Sequence, residues 1–208
     1  MEVPPKICVA VLAGGASRRM GAPKLLAAFA RSTLVDRALD AALDCAADEV
    51  CLVTGAYHDA LVAHVGKRPD GGDVAVVRNR RWCEGQASSV RAAVRHAQGR
   101  SCTAVVLLVA DQPFVRTGHL NALMAEYGRG HAQAYLSAND RHRGNPCLFD
   151  RVVFEDLLSL KGDEGARVLF RSRRDIAARQ VHFDEPYLFE DVDTPADLAR
   201  VEGLVLRG

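Results

Sequence analysis

The chain has 208 residues, of which 49% are hydrophobic and 25% are charged. Lysine and arginine total 27 and aspartate and glutamate total 26, so the formal net charge is +1. This balance excludes a polybasic nucleic-acid binder, whose affinity depends on neutralising phosphates, and an acidic disordered chain. The length and composition are those of a globular protein with a sizeable core.

No apolar stretch reaches the roughly 18 to 20 residues that span a bilayer, and the first six residues, with an acid and two prolines, are not typical of a signal peptide. No two of the six cysteines form a C-x-x-C pair, which argues against a zinc or thioredoxin-like site. Cys8, Cys51 and Cys102 fall in apolar segments, where cysteine behaves as a small core residue. We therefore predict a reduced, cytoplasmic protein that binds neither membranes nor nucleic acids.

From the N-terminus, apolar runs typical of buried strands alternate with helical patterns. The predicted strands cover residues 6–13, 49–54, 74–78 and 102–110. The predicted helices cover residues 33–45, 57–65 and 86–98, and a fourth begins near residue 117. This alternation predicts a three-layer, Rossmann-like α/β fold with a mostly parallel sheet flanked by helices.

The alternation weakens after about residue 130. Short strands at 134–139 and 147–149 are predicted around a polar turn at 140–145, followed by helices over 151–158 and 164–170. A last helix is predicted to begin near Thr194, with Pro195 at its first position. No linker or repeat divides the chain, so we predict a single domain over residues 1–208.

A glycine-rich segment, LAGGASRRMGAPK at residues 12–24, follows the first strand. Glycines let backbone N–H groups turn towards an anion, and Arg18 and Lys24 can neutralise phosphates. The segment is not a Walker loop, because its lysine comes three residues after Gly21, and it lacks the G-x-G-x-x-G dinucleotide pattern. The alternative is a strand-to-helix turn with surface arginines.

Two acidic positions are candidate metal ligands. Asp111 follows the strand at 102–110, where ligands of open α/β sheets bind, and a carboxylate there can hold Mg²⁺. Asp191 and Asp193 alternate with Val192, so in an extended chain both carboxylates share one face. The alternatives are a turn or capping role for Asp111, and helix capping by Asp193 or Thr194.

Three segments, taken in chain order, resemble the molybdenum cofactor nucleotidyltransferase family and most closely its cytidylyltransferase branch. They are LAGGASRRMGAPK (12–24), VADQPFV (109–115) and DVDTPADL (191–198). Three further segments agree with that family: residues 79–90 (NRRWCEGQASSV), 143–146 (RGNP) and 162–167 (GDEGAR). The resemblance covers about residues 7–200. It implies an NTP transferase fold with a nucleotide-binding half at about 6–115 and a substrate-binding half at about 116–200.

The resemblance implies Mg²⁺-dependent transfer of a nucleotide, CMP from CTP, to the phosphate of molybdopterin with release of pyrophosphate, and a molybdenum hydroxylase as a client. The attacking phosphate is already ionised near neutral pH, so no general base is needed. Gly14 is the form common in the guanosine-using branch, whereas Asp111-Gln112-Pro113 and residues 162–167 are features of the cytidine branch. The alternatives are a GTP-using guanylyltransferase, another small-molecule nucleotidyltransferase of this fold, and a non-enzymatic cofactor carrier or insertion accessory protein.

Site residues follow from the same resemblance by position. The implied nucleotide-binding residues are Leu12, Ala13, Gly14, Gly15, Ser17, Arg18, Gly21, Lys24, Asn79, Gly85, Ser88 and Asp111. The implied catalytic residues are Lys24, Arg18 and Asp111, and the implied metal ligands are Asp111, Asp193 and Asp191. The residues implied to face the pterin are Asn145, Asp163, Gly165 and Arg167.

Overall fold

The structure is a computed structural model that describes residues 4–173 and 175–206. In the first half of the chain, strands and helices alternate as predicted. Its elements are β1 (Ile7–Ala13), β2 (Ala28–Phe29), β3 (Ser32–Thr33), α1 (Leu34–Leu43), β4 (Glu49–Thr54), α2 (His58–Val65), β5 (Val74–Arg78), α3 (Gln86–Gly99) and β6 (Ala104–Val109). The sequence did not indicate β2 and β3, because two-residue strands are too short to show periodicity.

The second half departs more from the prediction. Its elements are α4 (Thr117–Gly128), β7 (Ala134–Ala138), β8 (Arg143–Asp150), α5 (Phe154–Ser159), α6 (Leu169–Ser172), β9 (Ala178–His182) and α7 (Pro195–Val205). The predicted polar turn at 140–145 was too long, since β8 begins within it. The helix predicted over 164–170 is instead a 3-10 turn, Ala166–Val168, followed by the short α6.

The main sheet has seven strands in the order β5-β4-β1-β6-β8-β7-β9. Strand β8 is antiparallel to both of its neighbours, and the other paired strands are parallel. Helices α1, α2, α4 and α7 pack on one face and α3, α5 and α6 on the other. This confirms the predicted three-layer, mostly parallel α/β fold.

Strand β1 lies at the centre of the sheet and is buried on both faces. Val9 and Val11 pack into one core layer, and Cys8 and Ala10 pack into the other. The absence of polar alternation in this strand therefore reflects burial on both sides. All six cysteines are free thiols. Within the described ranges, no helix is both long enough and apolar enough to cross a bilayer.

The sheet topology brings distant chain segments to one edge. Parallel β1, β4, β5 and β6 end there, and antiparallel β8 begins there. The glycine-rich loop, Asn79, Asp111 and the Arg143–Asn145 stretch consequently gather at the edge where open α/β sheets bind ligands.

Candidate active site

Two clefts open side by side at this edge of the sheet. The first, which we term the loop cleft, has a volume of about 540 Å³ and lies against the glycine-rich loop. The predicted residues that line it are Leu12, Ala13, Gly14, Gly15, Ser17, Arg18, Lys24, Gly85, Asp111, Asp163 and Asp193. The second, the sheet cleft, has a volume of about 640 Å³ and is lined by all four predicted pterin-facing residues, Asn145, Asp163, Gly165 and Arg167.

Lys24 lies between two of the predicted metal ligands. Its Nζ donates to Asp111 Oδ2 at 2.7 Å and to Asp193 Oδ1 at 2.9 Å, and its side chain is 12% exposed. Burial would lower the pKa of Lys24, but the charges and hydrogen bonds of Asp111 and Asp193 outweigh it and raise the pKa above its ordinary value. Lys24 therefore remains a cation at the floor of the loop cleft.

The capping of α7 leaves Asp193 available to the cleft. Thr194 is the N-cap residue, accepting from the backbone N–H of Asp197, whose carboxylate in turn accepts from the Thr194 N–H. The sequence had left open whether Asp193 or Thr194 caps this helix, and Thr194 does so. The backbone N–H of Val192 donates to Asp111 O at 3.0 Å, which holds the acidic segment beside the end of β6.

Asp191, unlike Asp193, lies outside the lining of the loop cleft. It lines a recess of about 310 Å³ that also borders Asp111, Asp193, Asn145 and Arg167. Burial and the neighbouring charge of Asp111 raise the pKa of Asp191, although a hydrogen bond from Gln112 Nε2, at 2.8 Å, opposes this. Asp191 thus shares this recess with the other two candidate metal ligands and with two of the predicted pterin-facing residues.

The donor set suits a hard divalent cation. Asp111 and Asp193 offer carboxylate oxygens to one space, and the buried Oε1 of Gln112 has no hydrogen-bond partner within the described part of the chain. Oxygen ligands of this kind bind Mg²⁺ and Mn²⁺. Lys24 Nζ bridges Asp111 and Asp193, so these two carboxylates share one space.

Backbone contacts hold the glycine-rich loop in place. Gly14 O accepts from the N–H of Ala56 at 3.3 Å, and Ala16 O accepts from the hydroxyl of Tyr57 at 3.1 Å. Ser17 Oγ accepts from the N–H of Lys24 at 3.3 Å. Gly21 is exposed, has a φ of +67°, and lies outside the residues that line the loop cleft. Its part is therefore to form the turn that returns the chain to Lys24.

Asn79 and Ser88 lie behind the cleft wall. Both are buried, and Asn79 Nδ2 donates to Ser88 Oγ at 2.8 Å and to Ser89 Oγ at 3.1 Å. Ser88 Oγ donates to the carbonyl of Gly85. Of this group, Gly85 and Ser89 line the cleft, so Asn79 and Ser88 act by positioning them.

Gly85 joins the loop cleft to the 162–167 segment. It has a φ of +99°, and a Cβ there would come within 2.4 Å of the Gly162 backbone and 2.6 Å of Asp163 Oδ1. Only glycine allows this approach. Asp163 therefore lines both clefts at their junction.

Several residues of the site were not predicted from the sequence, and Arg19, Gln112 and Gln86 are the polar ones that matter most. Arg19 forms an ion pair with Asp193 at 2.8 Å, whereas the sequence had pointed to Arg18. Gln112 follows Asp111 within the quoted segment, but its side chain carried no signal of its own. Gln86, at the start of α3, lines both clefts, and only the fold reveals that placement.

The arrangement can hold two molecules side by side. The loop cleft combines a glycine-rich backbone, Lys24 and a pair of carboxylates, which suits a polyphosphate with its divalent cation. The sheet cleft offers the amide of Asn145 and the guanidinium of Arg167, whose Nη1 donates to the carbonyl of Arg143 at 2.9 Å. Gln86 and Asp163 lie between the two.

Comparison with known proteins also indicates a protein that acts on nucleoside triphosphates. The sequence model of the MobA-like NTP transferase domain matches residues 9–179, which is more than half of the chain. The chain is 32% identical over 195 residues to the purine catabolism protein PucB of Bacillus subtilis, covering 89% of this chain and 91% of PucB. It is 30% identical over 204 residues to nicotine blue oxidoreductase of Paenarthrobacter nicotinovorans, covering 95% and 97% of the two chains.

A solved structure of similar sequence is that of Rv0371c from Mycobacterium tuberculosis. It is 31% identical, with a TM-score of 0.80 and coverage of 95% of this chain and 98% of Rv0371c. The same protein has been solved as a complex with manganese, at 30% identity and a TM-score of 0.77, again covering 95% and 98% of the two chains.

Proposed function

The chain belongs to the MobA-like NTP transferase family, and from this premise we propose that it transfers CMP from CTP to molybdopterin with release of pyrophosphate. The observation that carries the proposal is the position of Lys24, held between Asp111 and Asp193 beside a glycine-rich loop. The adjoining sheet cleft gives the acceptor a place next to the triphosphate. The product would pass to a molybdenum hydroxylase in the cytoplasm.

The proposed reaction asks the protein for positioning and charge stabilisation. An oxygen of the pterin phosphate attacks the α-phosphorus of CTP, and the bond to the bridging oxygen of pyrophosphate breaks. Lys24 donates hydrogen bonds to the oxygens that gain charge, and Arg18 binds the departing pyrophosphate. Asp111, with Asp193 or Asp191, would hold a divalent cation that neutralises the triphosphate.

Residues at the junction would align the two substrates. We assign the base and sugar to the backbone of residues 12–15, and the pterin to Asn145, Gly165 and Arg167. Asp163 and Gln86 line both clefts, so they are placed to contact both molecules. The reacting phosphates would then meet above Asp111.

The test is a pyrophosphate-release panel with CTP, GTP, ATP and UTP, each with and without molybdopterin, in Mg²⁺ and in Mn²⁺. We expect release with CTP only when the pterin and a divalent cation are both present. Pterin-dependent release with GTP and with none of the other three nucleotides would assign the chain to the guanylyl branch. Equal turnover with a sugar phosphate as acceptor would remove the pterin assignment and leave another nucleotidyltransferase of this family.

A further inference from the structure

A buried cluster of sulfur and nitrogen donors lies apart from the active site. Cys8 of β1, Cys51 of β4 and His96 of α3 each offer one ligand atom, and these atoms all lie within 4.8 Å of one another. Cys8 is the second residue of β1, whereas the active-site loop follows its last residue, Ala13. At about 3.3 Å per residue, Cys8 is about 16 Å from that loop, and Cys51, which pairs with Ala10 of β1, is about 10 Å from it.

The two thiols are already spaced as ligands of one metal ion. Zinc binds cysteine sulfur at about 2.3 Å, and tetrahedral geometry then places two sulfurs about 3.8 Å apart. The distance between Cys8 Sγ and Cys51 Sγ is 3.9 Å. Cys102 is buried in the same core layer, and its thiol points to the carbonyl of Arg100 at 4.0 Å. Neither backbone nor strand pairing has to move for two sulfurs to reach one ion.

His96 has the carboxylate partner that a metal-bound histidine usually has. Its Nε2 lies 3.1 Å from Glu49 Oε1, and Arg100 fixes the other oxygen of Glu49 at 3.0 Å. Donation from Nε2–H to the carboxylate leaves the lone pair of the imidazole on Nδ1. Glu49 therefore orients the His96 ring and leaves Nδ1 as the nitrogen that can bind a cation.

The surroundings supply both enclosure and a route of entry. Cys8 and Cys51 are fully buried, whereas the side chains of His96 and Glu49 are 17% and 11% exposed. An ion can thus reach the thiols from the side of α3. The sulfur donors select a softer cation than the carboxylates of the active site do.

We propose that Cys8, Cys51 and His96 form a binding site for a thiophilic divalent cation, in the first place Zn²⁺, that fastens β1, β4 and α3 together. On binding, each thiol gives its proton to solvent and forms a bond to the ion as a thiolate, while His96 binds as the neutral imidazole. The ion stays divalent, so no oxidant or reductant takes part. The site is structural, because it lies away from both clefts.

The test uses Co²⁺ as a spectroscopic probe on the full chain, reduced and stripped of metal. We expect a sulfur-to-cobalt charge-transfer band that saturates at one equivalent and is displaced by Zn²⁺, and a rise in Tm with Zn²⁺. Binding at Asp111 and Asp193 does not produce this band, because its ligands are oxygens. Absence of the band, or a disulfide between Cys8 and Cys51 in the isolated protein, would overturn the proposal.

Matched variants locate the site. Cys51→Ala and His96→Gln are expected to weaken Co²⁺ binding, measured from the band, by at least about tenfold. Cys45→Ala removes a half-buried thiol outside the cluster and is expected to leave the band unchanged. If Cys51→Ala does not fold, the band of His96→Gln is the deciding measurement, since replacing the half-buried His96 disturbs the core less. A band unchanged in His96→Gln would contradict the assignment.

Discussion

Lys24 is the residue whose charge the proposed chemistry uses most directly. Loss of a donor aimed at developing negative charge typically lowers kcat by about 10²- to 10³-fold. We therefore expect Lys24→Ala to lower kcat by about this factor while KM for CTP changes less, as measured by steady-state pyrophosphate release. A rise in KM at unchanged kcat would make Lys24 a docking residue. Arg31→Ala, a charge removal outside the lining of both clefts, is the matched control.

Asp111 distinguishes an enzyme from a cofactor carrier. Asp111→Asn keeps the shape of the side chain but removes a charge from the proposed cation site, so we expect turnover to fall by orders of magnitude while CTP binding, measured by calorimetry, survives in part. Asp44→Asn serves as the control, because Asp44 is exposed at the C-terminal end of α1 and lines neither cleft. Unchanged delivery of molybdenum cofactor to a client by Asp111→Asn would favour the carrier alternative.

Residue roles divide according to whether the sequence carried a local signal. The glycine-rich loop, Asp111 and Asp193 stood out by residue type and position, and the structure places them around one cleft. Asn79 and Ser88 were assigned to the nucleotide pocket only by the resemblance, and they are buried and hydrogen-bonded to each other instead of lining the cleft. The position of a residue in a motif does not show whether its side chain lines the cleft or holds a lining residue in place, because this depends on the direction of the side chain after packing.

At the scale of elements, Asp36 links α1 to the end of α2. Its carboxylate accepts from Thr33 Oγ1 at 2.6 Å, from Arg68 Nη1 at 2.7 Å and lies 2.9 Å from His64 Nε2. Burial would raise the pKa of Asp36, but these partners outweigh it and lower the pKa below its ordinary value of 3.8. Because the folded state holds the carboxylate ionised, this contribution is present above that ordinary value and is lost as the pH falls through the folded pKa.

We therefore expect Asp36→Asn to reduce the free energy of unfolding at pH 7 by about 1–3 kcal/mol, and to flatten the loss of stability on acidification below about pH 4. Urea denaturation of the variant and the parent protein at pH 7 and below about pH 4 measures both effects. Asp40→Asn is the matched control, because Asp40 also pairs with Arg68 but has a 54% exposed side chain, where ion pairs contribute little. Equal effects of the two substitutions would contradict the role given to Asp36.

Elements were predictable where burial imposes a pattern. Strands β1, β4 and β6 are apolar on both faces and were identified to within a residue or two. In β9 only Val181 of five residues is buried, so the strand has no alternation to detect and was missed. The pairing that places it beside β7 is a tertiary effect that composition does not encode locally.

At the scale of the whole molecule, the net charge of +1 averages over two opposed segments. Residues 14–24 carry three basic side chains and no acidic one, whereas residues 183–197 carry six acidic side chains and no basic one. The fold brings them together, with Arg19 and Lys24 both paired to Asp193. The cysteine cluster likewise joins residues that are far apart in the chain, so neither assembly could be derived from spacing.

In the proposed reaction, the pterin phosphate attacks the α-phosphorus of CTP. The most direct measurement follows radiolabel from CTP, labelled at either the α- or the γ-phosphate, in reactions with molybdopterin and a divalent cation. We expect the α-label to move to the pterin as a dinucleotide and the γ-label to leave as pyrophosphate. Transfer of the γ-label to the pterin, or no transfer of either label with any of the four nucleoside triphosphates, would contradict it.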